Sequence, residues 1–151
     1  GALPPVIGWT IATGTLTIEP IILFLIIFLW TPSHFWALSI YKSDDYKKAN
    51  IPMLPNIYGV DKTKKNIFIY SLLMLPVIVL PYLINLLSVF YFLPTLILTI
   101  YYIYLCGTLF KSKSKNDNNL LARKIFLYSI FYLFLIFLSI LLDHFILNFY
   151  E

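Results

Sequence analysis

Charge is scarce in this chain. Asp, Glu, Lys and Arg make up 12% of its 151 residues, about half of the roughly 25% usual for soluble domains. Cysteine is nearly absent. The single Cys106 excludes an intrachain disulfide and any paired-cysteine metal motif, and with Gly107 beside it in an apolar run it reads as a small packing residue. The five glycines form no phosphate-binding loop and no nucleophile elbow, which removes nucleotide-cradling and hydrolase readings that need those turns. No internal repeat is visible.

What the chain has instead is oil. Hydrophobic residues make up 60% and aromatics 19%. Apolar segments follow one another at residues 2–13, 20–41, 67–88, 91–110 and 124–147. The last four are long enough, at about 1.5 Å per helical residue, to span a hydrocarbon core of about 30 Å. The expected fold is all-α, a polytopic transmembrane helix bundle with about five spans in this chain. The first segment offers only about a dozen apolar residues, opens without methionine and lacks a basic leader. It reads as the remainder of a span, so residues 1–151 are expected to form the C-terminal part of one longer transmembrane domain. Pro4, Pro5, Pro32, Pro76, Pro81 and Pro94 fall within the spans, where they kink helices and free carbonyls that neighbours can satisfy.

Lys and Arg are missing from one entire side. Lys42, Lys47, Lys48, Lys62, Lys64 and Lys65 lie in one stretch, and Lys111, Lys113, Lys115, Arg123 and Lys124 in another. Two spans separate the stretches, so both face the same side, while Glu19, Asp143, His144 and Glu151 face the other. The positive-inside rule then places loops 42–66 and 111–123 in the cytoplasm of a bacterial inner membrane or, as second choice, in the mitochondrial matrix. A net charge of +4 reflects this topology and lipid phosphates, with no call for nucleic acid.

The two loops differ in kind. "KSKSKNDNNLLARK" is a short polar linker. "YKSDDYKKANIPMLP" (41–55) concentrates adjacent aspartates, lysines and prolines directly after an apolar run. Its first ten residues are expected to extend the preceding helix into water, "IPMLP" to break it, and Gly59 to turn the chain into the next span. A substrate with a diphosphate head and an apolar tail needs Mg²⁺ held by carboxylates, basic counter-charge, and a greasy cavity opening at a polar surface. Asp44 and Asp45 offer hard oxygen ligands, Lys42, Lys47 and Lys48 offer clamps, and Tyr41 and Tyr46 offer aromatic faces. Adjacent helical residues point about 100° apart, so only one aspartate is expected to face a cavity while the other meets water or a lysine. The plainer alternative is a solvated juxtamembrane loop. Just before it, "WTPSHFWALSI" sets Trp30, His34, Leu38 and Tyr41 along one helical face. His34 can bond a ligand carboxylate, ligate a haem iron, or bond a carbonyl freed by Pro32.

Taken together, "GALPPVIGW", "WTPSHFWALSIYKSDDYKKANIPMLP" and the span pattern resemble the protohaem IX farnesyltransferases (haem O synthases), within the intramembrane UbiA-type prenyltransferase superfamily. The resemblance runs the whole length and is strongest over residues 1–9 and 30–59. It implies nine transmembrane helices around a lateral cavity, with two acidic motifs on cytoplasmic loops. Residues 42–66 correspond to the second; the first would lie on N-terminal helices missing from this chain. Asp45 falls on the aspartate of the family's Asp-Tyr pair and Asp44 on the residue before it. Quinone-pathway relatives space two aspartates several residues apart, a pattern not found here.

The implied reaction transfers farnesyl from farnesyl diphosphate to a vinyl group of haem B, a substrate and not a cofactor, with addition of water, giving haem O. Asp45, Asp44 and Tyr46 are the implied catalytic residues. Asp44 and Asp45 are the Mg²⁺ ligands, and Lys42, Lys47, Lys48, His34 and Tyr41 are the substrate contacts. Aromatic faces would stabilise the allylic cation by about 0.5–2 kcal/mol each. The 151 residues are expected to be inactive alone, lacking half of the metal site. Rival readings are a prenyltransferase acting on an aromatic or quinone precursor, a transporter half, and a non-enzymatic haem-binding subunit. Against transport, the ionisable residues cluster at the rim and not on broken helices near mid-membrane.

Overall fold

A computed structural model describes the backbone of residues 1–150 and the side chains of residues 1–146. The fold is all-α, with no strand among the described residues. Its seven helices are α1 (Pro4–Thr13), α2 (Ile18–Tyr41), α3 (Ser43–Lys48), α4 (Leu54–Tyr58), α5 (Val60–Leu83), α6 (Val89–Lys111) and α7 (Lys115–Tyr150). Four of them, α2, α5, α6 and α7, are long and apolar enough to cross a membrane. The first apolar segment forms a helix of ten residues, about 15 Å and half a bilayer. Pro4 and Pro5 occupy its first turn, where a missing N–H costs nothing, and Gly14 ends it at φ +70°.

The four long helices form a closed ring: α2 packs against α5 and α7, and α6 packs against α5 and α7. Long polar side chains bridge where backbones do not. The Ser33 hydroxyl of α2 meets the Tyr102 hydroxyl of α6 at 2.7 Å across the diagonal. Tyr132 of α7 meets Thr99 of α6 at 2.9 Å, and Tyr91 of α6 donates to the Ile78 carbonyl of α5 at 3.1 Å. The rings of Tyr102 and Tyr132 stack at 4.9 Å. Lipid tails are as apolar as leucine, so leucine contacts alone give a membrane bundle little reason to associate. Hydroxyls with partners, packed among buried Ile26, Ile67, Ile78 and Ile136, supply direction. Cys106 is buried and free, and Gly107 beside it accepts the edge of Phe68.

Two buried charges fasten the ends of α6. At its N-terminus Asp143 of α7, 1% exposed, accepts from the backbone N–H of Ser88 (2.9 Å) and of Tyr91 (3.2 Å), and from the Ser88 hydroxyl. These are the donors a helix start leaves unsatisfied, and a carboxylate complements the dipole there. At the other end Lys64 of α5, 3% exposed, donates to the Ser112 carbonyl at 2.7 Å and pairs with Asp61 at 2.9 Å.

Several boundaries differ from the sequence expectation. The chain after α2 does not extend it: Lys42 leaves helical geometry at φ −103°, ψ 21°, and α3 starts afresh. Pro55 lies inside α4, where the first turn tolerates it, so only Ile51, Pro52 and Met53 of "IPMLP" are non-helical. Gly59 does turn the chain, at φ +86°, ψ 158°, a region open essentially to glycine alone. Helix α5 then begins at Val60 and α7 at Lys115, so the expected loops 42–66 and 111–123 are largely helical. Lysine and glutamine-like long chains are good helix formers, and a helix leaving the bilayer need not stop at its surface.

Candidate functional site

The charged end of the bundle is built by a break. Because α2 stops at Tyr41 and α3 restarts at Ser43, the acidic pair sits on a short separate helix, exposed, at the charged end of the bundle. Tyr41, Lys42, Asp44 and Asp45 border one cavity of about 170 Å³. Lys42 reaches one turn on to Asp45 at 3.2 Å. Asp44 turns to α7, where Lys115 stands at 3.7 Å. Above the Tyr41 ring sit the Lys42 ammonium at 5.3 Å and the Arg123 guanidinium at 5.8 Å.

Both aspartates border the same cavity, contrary to the expectation that only one would. The reason is that the cavity is shallow and α3 short, so residues about 100° apart both reach its rim. The second half of the expectation fits better, since each carboxylate meets a lysine. The hydrogen bond and charge of Asp45, with Tyr41 adding to them, hold the Lys42 ammonium above the usual lysine range. These contacts are exposed, so the pairs steer and hold loosely; surface pairs of this kind are worth about 0–1 kcal/mol.

Lys47, Lys48 and Tyr46 sit on α3 but do not border this cavity. Lys115 and Arg123, which do approach the acidic pair and Tyr41, escaped the sequence reading as lysines and arginine of a lipid-facing linker. One signal was available: the second basic stretch carries five basic residues and one acid, Asp117, and so lacks partners of its own.

Among the described residues no group of three or more His, Cys, Asp or Glu side chains could hold a metal ion. Asp44 and Asp45 together suit a magnesium ion, which keeps most of its waters and takes one or two carboxylates plus phosphate oxygens. They do not suit a zinc-type cage.

His34 lies deeper in α2 and makes its contacts with α7. Its ring is 8% exposed, with Trp30 stacked on one side at 4.3 Å and Phe126 at 4.7 Å. Nδ1 meets the Ser129 hydroxyl at 2.6 Å, and the Trp30 indole N–H donates to the Ser129 carbonyl at 2.8 Å. The partner is therefore a serine on another helix, and not a carbonyl released by Pro32.

A larger cavity of about 480 Å³ opens at the opposite end, bordered mainly by apolar residues such as Ile22, Leu23, Leu86, Leu87 and Ile140, with Trp9, Glu19 and His144 as its polar members. No Lys or Arg lines it. Of the two, the smaller cavity is the one that brings a carboxylate pair and a lysine together.

Residues 1–135 match the family described as UbiA prenyltransferase. The chain is 62% identical over 143 residues to the protoheme IX farnesyltransferase of Pelagibacter ubique, covering 95% of this chain and 47% of that protein. It is 46% identical over 146 residues to the protoheme IX farnesyltransferase of Bartonella henselae, covering 97% and 47%. With the Rickettsia massiliae protein of that name it shares 47% over 138 residues, covering 91% and 44%. The chain thus spans about half the length of the curated relatives it matches. No solved structure matches it.

Proposed function

The chain belongs to the UbiA prenyltransferase family, and from that premise we propose that it forms part of a protohaem IX farnesyltransferase, joining a farnesyl group to a vinyl carbon of haem B. The observation that carries this reading is the meeting of Asp44, Asp45, Lys42, Lys115 and Arg123 around Tyr41 where the greasy bundle ends. Two carboxylates and three cations at such a rim fit an anionic head with an apolar tail.

In this mechanism Asp44 and Asp45 would hold Mg²⁺, which would supply charge neutralisation for a diphosphate. Lys42 and Lys115 exchange their carboxylate partners for phosphate oxygens as the donor enters, and Lys47 and Lys48 add counter-charge from outside. The C1–O bond of farnesyl diphosphate breaks and diphosphate leaves, the vinyl carbon bonds to C1, and water adds to the resulting cation beside the pyrrole as hydroxyl, giving up a proton to the diphosphate or solvent. Tyr41 presents its aromatic face to the positive charge, while Tyr46 stands outside the cavity on α3. Exclusion of bulk water keeps the allylic cation from early quenching. The curated relatives are about twice as long, and further acidic ligands would come from their other half. The basic ends face the cytoplasm of a bacterial inner membrane.

The test is transfer of farnesyl to haem B by the full-length protein carrying this segment. Asp45→Asn should abolish product at normal membrane insertion. Wild-type protein that prenylates a quinone precursor and leaves haem B untouched would overturn the haem assignment.

A further inference from the structure

The cavity at the end of the bundle away from the basic loops has no part in the proposed reaction. It holds about 480 Å³, within the roughly 300–1,000 Å³ of small-molecule sites. Trp9 of α1, Glu19 of α2, Pro81 of α5, Leu86 of the link to α6, and Ile140 and His144 of α7 all border it. Glu19 and Tyr41 stand at opposite ends of α2, about 33 Å apart along the helix. The two cavities are therefore separate sites.

Two atoms on residues of this cavity lack partners. The indole N–H of Trp9 and the Oε2 atom of Glu19 are each shut off from solvent, with no hydrogen bond among the described residues. Buried polar groups normally find partners, because leaving them unmade is costly. One of these atoms is a donor and the other an acceptor. A hydroxyl answers both, accepting from the indole and donating to the carboxylate.

Other heads answer worse. A phosphate is repelled by Glu19 and finds no Lys or Arg in the wall. An ammonium cannot accept from the indole, and an ester carbonyl cannot donate to the carboxylate. Water can do both, yet it leaves the apolar wall wet, and apolar cavities stay dry. A hydroxyl on a hydrocarbon tail satisfies the polar atoms and the wall together. Both atoms are covered, so a head reaches them only as the Trp9 ring turns. Helix α1 packs against α2 alone among the described helices, which leaves that ring room to move.

We propose that this cavity binds a neutral lipid alcohol, its hydroxyl between Trp9 and Glu19 and its tail along the apolar wall. Binding is non-covalent, and the inference stands apart from the prenyl-transfer reading.

The test is photolabelling of the full-length protein in nanodiscs with a farnesol that carries a diazirine, the labelled peptides being mapped by mass spectrometry. Label is expected on α1 and the first turns of α2. Plain farnesol should compete, and farnesyl methyl ether, which accepts but cannot donate, should compete about five- to tenfold less well. Trp9→Phe keeps the ring and removes only the N–H, and Glu19→Ala removes the acceptor; each should weaken farnesol by a similar factor. Ile140→Trp fills the cavity and should abolish the label there. Label confined to residues 41–55 overturns the proposal, as does equal competition by the ether. Labelling that survives both Trp9→Phe and Ile140→Trp unchanged overturns it too. No label at either place means that the other half of the protein covers the cavity, and the proposal falls.

Discussion

The carboxylate of Asp143 accepts the backbone N–H of Ser88 at 2.9 Å, tying α7 to the first turn of α6 from inside the bundle. Asp143→Ala strands the amides of Ser88 and Tyr91 and the Ser88 hydroxyl. Charged hydrogen bonds are worth about 1.5–3 kcal/mol each and are not additive, so a loss of about 2–4 kcal/mol is expected. Thermal unfolding in detergent reads it. Asp143→Asn keeps an acceptor and should lose about half as much.

Lys64 separates two kinds of interaction. Its partner Asp61 is almost fully exposed, so Asp61→Ala should change stability by less than about 1 kcal/mol. The bond to the Ser112 carbonyl is buried, so Lys64→Ala should cost about 2–3 kcal/mol. Chemical denaturation of the pair of variants compares them; equal losses would reverse the assignment of the energy to Ser112.

Gly59→Ala should destabilise by about 1–3 kcal/mol, because φ +86° with ψ 158° lies where an alanine is strained. Nothing crowds that position, so the cost is backbone strain alone. Gly107 is the opposite case: a Cβ would meet the Phe68 ring at 3.4 Å, ordinary contact, while alanine favours the helix by about 0.5–1 kcal/mol. Gly107→Ala should therefore be neutral or slightly stabilising, and Gly107→Leu disruptive, by the same melting measurement.

Arg123→Ala and Lys115→Ala should each raise the KM for farnesyl diphosphate in the full-length protein by several-fold to about tenfold, with kcat changed less. A tenfold change corresponds to about 1.4 kcal/mol, within the range for an exposed cation meeting a phosphate. Raising ionic strength should shrink both effects.

Much of this was legible in the residues. The four long helices follow from uninterrupted apolar runs, and the turn at Gly59 from the one residue type that turn accepts. The gathering of acids and lysines at 41–55 was legible from charges sharing a greasy border; the cavity they line was not. The break at Lys42 was not legible, since nothing in "YKSDDYKK" forbids a helix and tertiary packing decided it. Nor were Lys115 and Arg123, whose approach to Asp44 and Tyr41 depends on α7 crossing that end of the bundle. Sequence also left three partners open for His34, and the serine that holds it stands 95 positions away.

The Asp143 clamp has a consequence for how the protein is made. Its carboxylate lies 28 residues along α7 from Lys115, about 42 Å of helix, so the first turn of α6 gains its lid only when α7 has packed along most of its length. Without it the amides of Ser88 and Tyr91 lack that acceptor. Closing this end of the bundle therefore depends on the far part of the last helix, and a chain cut short before Asp143 would leave it open.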